Sequence, residues 1–384
     1  MVGKYLKGIG IFVGFIFGAG IFGLPFVISR AGIFWGAVHF IIAFTVVLLL
    51  HFLYSKIVYF TEGRHRFTGY VKLILGKKAE KVAIFFTITS YYGSLLVYGV
   101  LGGIFLYNLS GLGGLVPYEN SFFSIIFTLV FFIAGGLVIL AGLGAIGTLN
   151  FYLIFPIFAF IFYLFFLAVP SIDLSNFSFA FGARNVDWFL PYGVWFFALG
   201  GFAAIPETRD VLKGASFSKL KNVVLAGTIL PAIFYWLFII AIVGVSGANT
   251  TQDAFKSDGF GKYITLFGSL FGFLAVFTSF LVLAEDLRNI WKYDFKKSGF
   301  FSWILTLAPP IFLFLIGVNS FIKTMGVMGT LGLGSAGFFI VFMNRKLRKK
   351  KDTNTNGGKF NGFVELFIVL AILFAVVFEI KNLF

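Results

Sequence analysis

The chain reads as an all-α polytopic membrane protein. Eleven membrane-spanning helices are expected, ten of them in a five-plus-five inverted repeat and the last one peripheral. Three observations predict this. The 384 residues are 59% hydrophobic and only 12% charged, with a mean hydropathy of +0.99, a composition of the polytopic membrane class. Apolar runs of about 20 residues, the length needed to cross a bilayer, recur along the chain with short loops between them. Two of those runs, the first and the sixth, are interrupted by Gly and Pro at corresponding places.

The runs fall near residues 5–30, 33–60, 82–108, 122–142, 147–169, 189–212, 221–246, 262–284, 299–317, 321–344 and 363–381. The first exceeds 20 apolar residues, longer than the apolar region of a secretory leader, so it is read as a span. It contains Gly18-Ala19-Gly20-Ile21-Phe22-Gly23-Leu24-Pro25. In lipid every backbone N–H and C=O must be paired within the protein, so a run that invites unwinding there needs other partners for those groups. The sixth run repeats the feature as Ala198-Leu199-Gly200-Gly201-Phe202-Ala203-Ala204-Ile205-Pro206. A shift of 181 residues puts Gly20 on Gly201, Leu24 on Ile205, Pro25 on Pro206 and Phe15 on Phe196. Five spans separate the copies, so the two halves are inverted. Paired interrupted spans of this kind point to an inverted-repeat transporter with its site at the breaks. The expected organisation is a core over 1–344, with repeat one at 1–169, a linker at 170–187 and repeat two at 188–344. A basic loop at 345–362 and an eleventh helix at 363–384 follow. Residues 247–261 are polar and are expected to cap the outer vestibule, and a short amphipathic stretch covers Tyr70–Leu75.

A net charge of +15 raises the question of nucleic acid, and its distribution answers it. With the N-terminus in the cytoplasm, 24 of the 30 Lys and Arg residues fall inside. They cluster at Lys4 and Lys7, Lys56 to Lys81, Arg209 to Lys221, Arg288 to Lys297 and Arg345 to Lys359. Arg30, Arg184, Lys256, Lys262, Lys323 and Lys381 fall outside. That asymmetry is the positive-inside pattern, so the basic excess sets topology and requires no nucleic acid. The odd number of spans puts the C-terminus outside, and the plasma membrane is the expected location. The run Arg345–Lys351 is expected to be a topology anchor, with binding of anionic lipid as the alternative. Without cysteine, disulfides, thiolate metal sites and cysteine nucleophiles are excluded. The 58 phenylalanines are expected to be mainly lipid-facing filler.

Beyond the first break the sequence continues to Ala31-Gly32 and Gly36. The pattern Gly-Ala-Gly-Ile, two residues, Leu-Pro, five residues, Ala-Gly, three residues, Gly resembles the first-span signature of the amino acid/auxin permease family. The aromatic amino acid permeases of bacteria are close relatives of it within the amino acid–polyamine–organocation superfamily. The sixth span, with Ala204-Ile205-Pro206-Glu207, is similar to that family's Pro-containing sixth span. The resemblance covers the whole chain and implies the leucine-transporter fold. Metal-ion transporters of that fold carry Asp-Pro-Gly-Asn in span one; here the region has neither carboxylate nor amide, and a divalent-metal site lacks its ligands.

An amino acid substrate follows from this resemblance, and the breaks suit its two charges. The N-terminus of the outer half of span one, at Ala19, Gly20 and Ile21, favours a carboxylate. Carbonyls near Phe15 and Ala198 suit the ammonium. Gly18, Gly20, Gly200 and Gly201 admit close backbone approach. In span three Tyr91, Ser94, Tyr98 and Gly102 share one helical stripe, with Tyr98 the residue expected to touch substrate. Small residues such as Ala203 and Ala204 leave room for a large neutral or aromatic side chain. The fold also implies a sodium site between carbonyls near Gly14 and Phe17 and, after Ala275 in span eight, the hydroxyls of Thr278 and Ser279. Such hydroxyls can instead bond back to their own helix. A Lys in span five, the proton device of some relatives, is absent. Glu207, beside the second break, is a gating or proton candidate, with surface pairing as the alternative. Glu285 and Asp286 are positioned by sign and side to pair with Lys4 or Lys7. His39 and His51 in span two are expected to be packed or hydrogen-bonded.

The function that follows is secondary active transport of neutral amino acids, coupled to Na⁺ or H⁺, with no cofactor beyond that ion. A non-transporting amino acid sensor on the same fold is the alternative. An intramembrane enzyme is excluded, because no acid/base pair or activated nucleophile is in place.

Overall fold

The computed structural model describes every residue except 1, 64, 112–120, 142–145, 178–186, 258, 351–356 and 384. Among the described residues all regular structure is helical. Helix α1 (Val2–Ile16) stops at the first glycine cluster, and α2 (Gly20–Ala31) restarts at 51° to it. Then come α3 (Ile33–Phe60), the short α4 (Phe67–Leu75), α5 (Lys77–Leu109), α6 (Ser121–Ala141) and α7 (Ile146–Ala168). The second interrupted run folds as α8 (Leu190–Leu199), a 3₁₀ turn at Phe202–Ala204 and α9 (Ile205–Val211). Pro206 sits in the first turn of α9, where a missing N–H costs no helical bond. The remainder is α10 (Phe217–Ser246), α11 (Lys262–Asn289), α12 (Gly299–Leu315), α13 (Phe321–Met328), α14 (Gly334–Lys350) and α15 (Gly357–Leu383). A π-helical turn, Gly329–Leu333, joins α13 to α14.

Eight helical segments among the described residues are long and apolar enough to cross a membrane, and the bent α1–α2 pair makes a ninth. Helix α12 is apolar but shorter, at 17 residues. Helices α8 and α9 are too short to qualify singly. They lie inside the bundle, where α8 packs against α2, α3 and α13, and α9 against α1 and α3. Helix α4 buries Phe67, Tyr70, Val71 and Ile74 and exposes Lys72 and Leu73, as its amphipathic pattern requires.

The expectation that phenylalanine is mainly lipid-facing filler is corrected here. Phe85, Phe122, Phe166 and Phe312 are exposed, but Phe12, Phe105, Phe131, Phe132, Phe255 and Phe280 are fully buried. The reason lies in the facing glycines. A Cβ placed on Gly102 would collide with the ring of Phe131, on Gly99 with Phe132, on Gly135 with Phe280, and on Gly268 with Phe255. Each missing side chain is a notch that a ring fills. The rings then meet edge to face, as Phe131 does with Phe280 at 5.2 Å and 75°, the geometry the aromatic quadrupole favours. Small residues bring membrane helices together by the same logic. The closest approach is α8 on the α13–α14 turn, where Gly193 and Gly329 abut backbone to backbone.

Helix α15 is outermost, with Phe363, Leu366, Leu370 and Val377 exposed. Its other face is docked: Ile368, Ala371, Ile372 and Ala375 are buried, and the Tyr192 hydroxyl donates to the Ala371 carbonyl at 3.1 Å. Near its N-terminal end the buried carboxylate of Glu365 pairs with Arg348 at 3.1 Å and Arg345 at 3.5 Å. In the segment after α10, Asp253 is buried and accepts from Asn108 Nδ2 at 3.0 Å and Thr251 Oγ1 at 2.7 Å. This segment is fastened to the end of α5.

The ring-in-notch packing gives a direct expectation. Gly102→Leu and Phe131→Ala should each lower the melting temperature in detergent, the second by a cost on the order of 3–5 kcal/mol. The double variant should recover part of the loss, because the new side chain enters the vacated space. Strictly additive losses would contradict a shared notch.

Candidate functional site

The two breaks meet. Helix α1 ends at Ile16 and α8 at Leu199, and a Cβ on Gly20 would collide with the backbone of Ala198. Gly20 is therefore small because another chain segment occupies the space. Gly201 likewise faces Ile16, whose Cγ1 would lie 2.6 Å from an added Cβ.

Ending two helices inside the bundle leaves carbonyls without intrahelical donors. One side chain serves both ends. Tyr235 of α10, fully buried, places its hydroxyl 2.8 Å from the Ile16 carbonyl and 3.0 Å from the Ala198 carbonyl. The single O–H proton is shared between two acceptors. The carbonyl end of a helix carries partial negative charge, so two such ends converge at Tyr235. A second tie holds the sixth-span break. The Gly201 N–H donates to His51 Nε2 at 3.2 Å, and His51 Nδ1 lies 3.0 Å from Thr228 Oγ1. Because Nε2 accepts, the neutral ring carries its proton on Nδ1 and donates to Thr228. Thr228 in turn donates to the Val224 carbonyl at 2.9 Å.

Beside the breaks is a cavity of about 100 Å³. Its backbone wall is Gly18, Ala19, Gly20 and Gly200; α5 contributes Ser90, Tyr91, Ser94 and Tyr98. Phe15, Phe196, Phe197, Phe202, Met328 and Leu333 make the apolar surface. The structure thus brings together five of the eight residues read from sequence as substrate-binding: Gly18, Ala19, Gly20, Tyr98 and Gly200. Ile21 and Ala198 are buried in packing beside the cavity, and Gly201 is engaged with His51. In the α5 stripe, Gly102 serves the Phe131 notch instead.

The residues read as an ion site divide. Ser279 faces Gly18: its Oγ would lie 3.1 Å from a Cβ there, with the Tyr98 hydroxyl at 3.4 Å. Ser279 Oγ is buried without a hydrogen-bond partner. Thr278 bonds back to its own helix, donating to Leu274 at 2.9 Å and Ala275 at 3.2 Å. Gly14 is buried in α1, and the Phe17 ring is buried against Phe158 at 5.1 Å and Tyr235 at 5.2 Å.

Glu207 is half-exposed and pairs with Arg66 at 3.1 Å. Glu285 pairs with Arg288 at 3.3 Å, and Asp286 accepts from the Tyr91 hydroxyl at 2.9 Å. The expected partners Lys4 and Lys7 are exposed. Tyr91 thus joins the cavity wall to this charged layer. Sequence reasoning missed Tyr235 as a joint, along with Met328 and Leu333 in the wall. A lone Tyr in an apolar run carries no pattern, and the π turn that presents Leu333 leaves no periodic signal.

Residues 1–380 match the sequence model of the Tryptophan/tyrosine permease family. Among characterised proteins, Glutamine transporter 2 of Aliivibrio fischeri is 24% identical over 345 residues, 87% of each chain. Among solved structures, MhsT in complex with L-phenylalanine superposes with a TM-score of 0.71 at 17% identity, covering 97% of this chain and 98% of that one. Mhp1, a nucleobase-cation-symport-1 family transporter in a closed conformation with bromovinylhydantoin bound, superposes with a TM-score of 0.68 at 11% identity. That match covers 98% of this chain and 93% of the other. These likenesses establish the fold.

The site assigns different work to its two tyrosines. Tyr235→Phe strands the Ala198 carbonyl and leaves Ile16 with the Gly18 N–H alone; it should cost about 1–3 kcal/mol, lowering the melting temperature in detergent. Tyr98→Phe should leave the melting temperature within a degree or so and act on ligand response alone. Equal melting behaviour in the two variants would refute Tyr235 as the joint.

Proposed function

Since the chain belongs to the tryptophan/tyrosine permease family, we propose that it carries large neutral amino acids, aromatic ones foremost, across the cell membrane by alternating access. The family and the characterised relative are transporters, not enzymes. The observation that carries the substrate reading is the cavity at the joined breaks, with helix termini on one side and Phe196, Phe197, Phe202, Met328 and Leu333 on the other. In this reading the substrate carboxylate takes the N–H groups at Ala19, Gly20 and Ile21. The ammonium faces the carbonyl ends of α1 and α8, and Ser94 and Tyr98 offer hydroxyls to a polar ring substituent. A pocket of about 100 Å³ is small for tryptophan, so binding is accompanied by opening of the aromatic wall. Glutamine and phenylalanine, named with the first two of these relatives, support a neutral substrate.

Counting α1–α2, α8–α9 and α12 with the eight long segments gives eleven spans, a cytoplasmic N-terminus and an outer C-terminus. The interrupted spans then open the two inverted halves. Coupling is to Na⁺ or H⁺. Ser279 Oγ, buried and without a partner opposite Gly18, supports the sodium reading, with Ala275, Thr278, Gly14 and Phe17 completing an oxygen set. Glu207 in its pair with Arg66 fits an inner gate better than a buried proton carrier.

Thermal-shift measurements with all twenty amino acids test the substrate class. L-Tryptophan, L-tyrosine and L-phenylalanine should raise the melting temperature, as any ligand of the folded state does, while L-aspartate and L-lysine should not. Uptake into proteoliposomes should follow for the same ligands; saturable binding with no uptake under any ion gradient would make the protein a sensor. Ser279→Ala together with Thr278→Ala should abolish Na⁺ stimulation of binding. Unchanged Na⁺ dependence would remove the site.

A further inference from the structure

A second cavity, of about 510 Å³, shares no lining residue with the one at the breaks. It lies where α1 and α10 begin. Lys4 and Tyr5 come from α1, Lys219 and Asn222 from α10, and the connection between α9 and α10 supplies residues 212–216, Lys213 among them. That connection is held in place. Gly214, at φ +85°, turns it. The Ala215 N–H donates to the Leu212 carbonyl at 2.8 Å, and the Tyr59 hydroxyl of α3 donates to the Ala215 carbonyl at 3.3 Å. Leu212 is buried against α1, where a Cβ on Gly8 would lie 3.5 Å from its side chain.

Three ammonium groups from three parts of the chain therefore line one space, and among the described residues none that lines it is acidic. The acids of α9, Glu207 and Asp210, lie outside it, and Glu207 is paired with Arg66. Like charges gathered in this way repel one another. Topology does not ask for the gathering, because the positive-inside bias counts lysines per loop and is indifferent to where they converge. The polar groups are equally one-sided. The Leu212, Ala215 and Ser216 carbonyls are taken by the Ala215 N–H, the Tyr59 hydroxyl and the Lys219 N–H, the last at 3.1 Å. The Ser216 hydroxyl makes no cap bond to α10, and the Asn222 amide adds donors. This lining suits an anion and not a cation.

We propose that the cavity is a binding site for a phosphate ester, held by Lys4, Lys213 and Lys219. Its place at the start of two spanning helices is the depth of lipid headgroups, and basic pockets between spans receive such headgroups. A soluble phosphate ester offers the same chemistry. Lys4 belongs to the helix that ends at the first break, and Lys213 and Lys219 follow the helix that leaves the second. A phosphate bridging them ties the two interrupted spans together at the ends remote from the breaks. The site stands whatever the cavity at the breaks carries.

The test uses the full-length protein in a neutral detergent and reads the melting temperature, which a ligand of the folded state raises. The probes are dioctanoyl phosphatidylglycerol, dioctanoyl phosphatidylcholine as its zwitterionic counterpart, and glycerol phosphate as a soluble ester. Phosphatidylglycerol should raise the melting temperature saturably, and phosphatidylcholine should not. K4Q/K213Q/K219Q should raise the half-saturating concentration by about tenfold or more, since three charge-assisted contacts are lost. K77Q/K78Q/K81Q removes as much charge from exposed lysines of α5 that do not line the cavity, and it should change that concentration by less than about twofold. Should the first variant not fold, S216D decides. Asp is a good N-cap, so α10 keeps its stability, while the new carboxylate repels the anion. The melting temperature without ligand should hold, and the response to phosphatidylglycerol should vanish. A response to glycerol phosphate as well supports the site and admits a soluble ester; a response to the lipid alone makes the ligand a headgroup. Equal losses in the two lysine variants, a full response in S216D, an equal response to phosphatidylcholine, or no response to either ester overturns the proposal.

Discussion

A backbone group freed inside a membrane has no water to turn to, and this constraint organises the centre of the protein. Interrupting two spans releases carbonyls and N–H groups at one depth. Left unpaired, each would cost as much as a typical side-chain substitution can take from the fold. The chain meets this with very few side chains. One hydroxyl, Tyr235, takes the ends of α1 and α8 together, and one imidazole, His51, takes the N–H of Gly201. Because the Tyr235 proton is shared, neither carbonyl can move alone without strengthening or weakening the bond to the other. The breaks are thereby joined into a single unit whose geometry is set from α10.

Glycine and phenylalanine build the frame around that unit, each needing the other. A notch at glycine is a void unless something fills it, and in lipid a void forfeits dispersion contacts that nothing else restores. A ring against a full-sized neighbour would hold the helices apart. Where notch and ring coincide, as at Gly102 with Phe131 and Gly135 with Phe280, the helices close to backbone range and the ring stays in contact all round. The same packing runs through α5, α6 and α11, the helices that carry Tyr98 and Ser279 to the cavity. Stiffness in the frame is what lets two hydroxyls be aimed at Gly18.

Much of this was legible in the sequence, for identifiable reasons. The helical class and the membrane solvent followed from composition. The place of the breaks, with the cavity beside them, followed from Gly18–Pro25 and its counterpart at Gly200–Pro206, because breaking a helix needs residue types that stand out in an apolar run. What the sequence left open is the use of particular small residues. Gly20 looked like room for a ligand; it lines the cavity, and its missing Cβ also makes room for Ala198, since a missing Cβ does not say which neighbour approaches. Thr278 and Ser279 are adjacent and chemically alike, yet 100° of helical rotation turns one onto its own helix and leaves the other facing Gly18. Tyr235 and His51 were illegible as partners, since their importance lies in what stands 37 to 219 positions away in the chain and not in any local pattern.

The capping arrangement also bears on how a positive charge would be received. A carbonyl oxygen has two lone pairs, and Tyr235 draws on one at each of Ile16 and Ala198. At Ala198 the other lone pair remains at the negative end of α8, while at Ile16 the Gly18 N–H takes it at 2.9 Å. A cation beside these carbonyls competes with the tyrosine proton for the same oxygens, and any shift of that proton toward one carbonyl loosens the other. An ammonium or an alkali cation arriving at the breaks thus acts on α1 and α8 simultaneously, though it need touch only one. Coupling between the two halves then requires no long path through the protein. It is contained in the sharing of one proton between two helix ends.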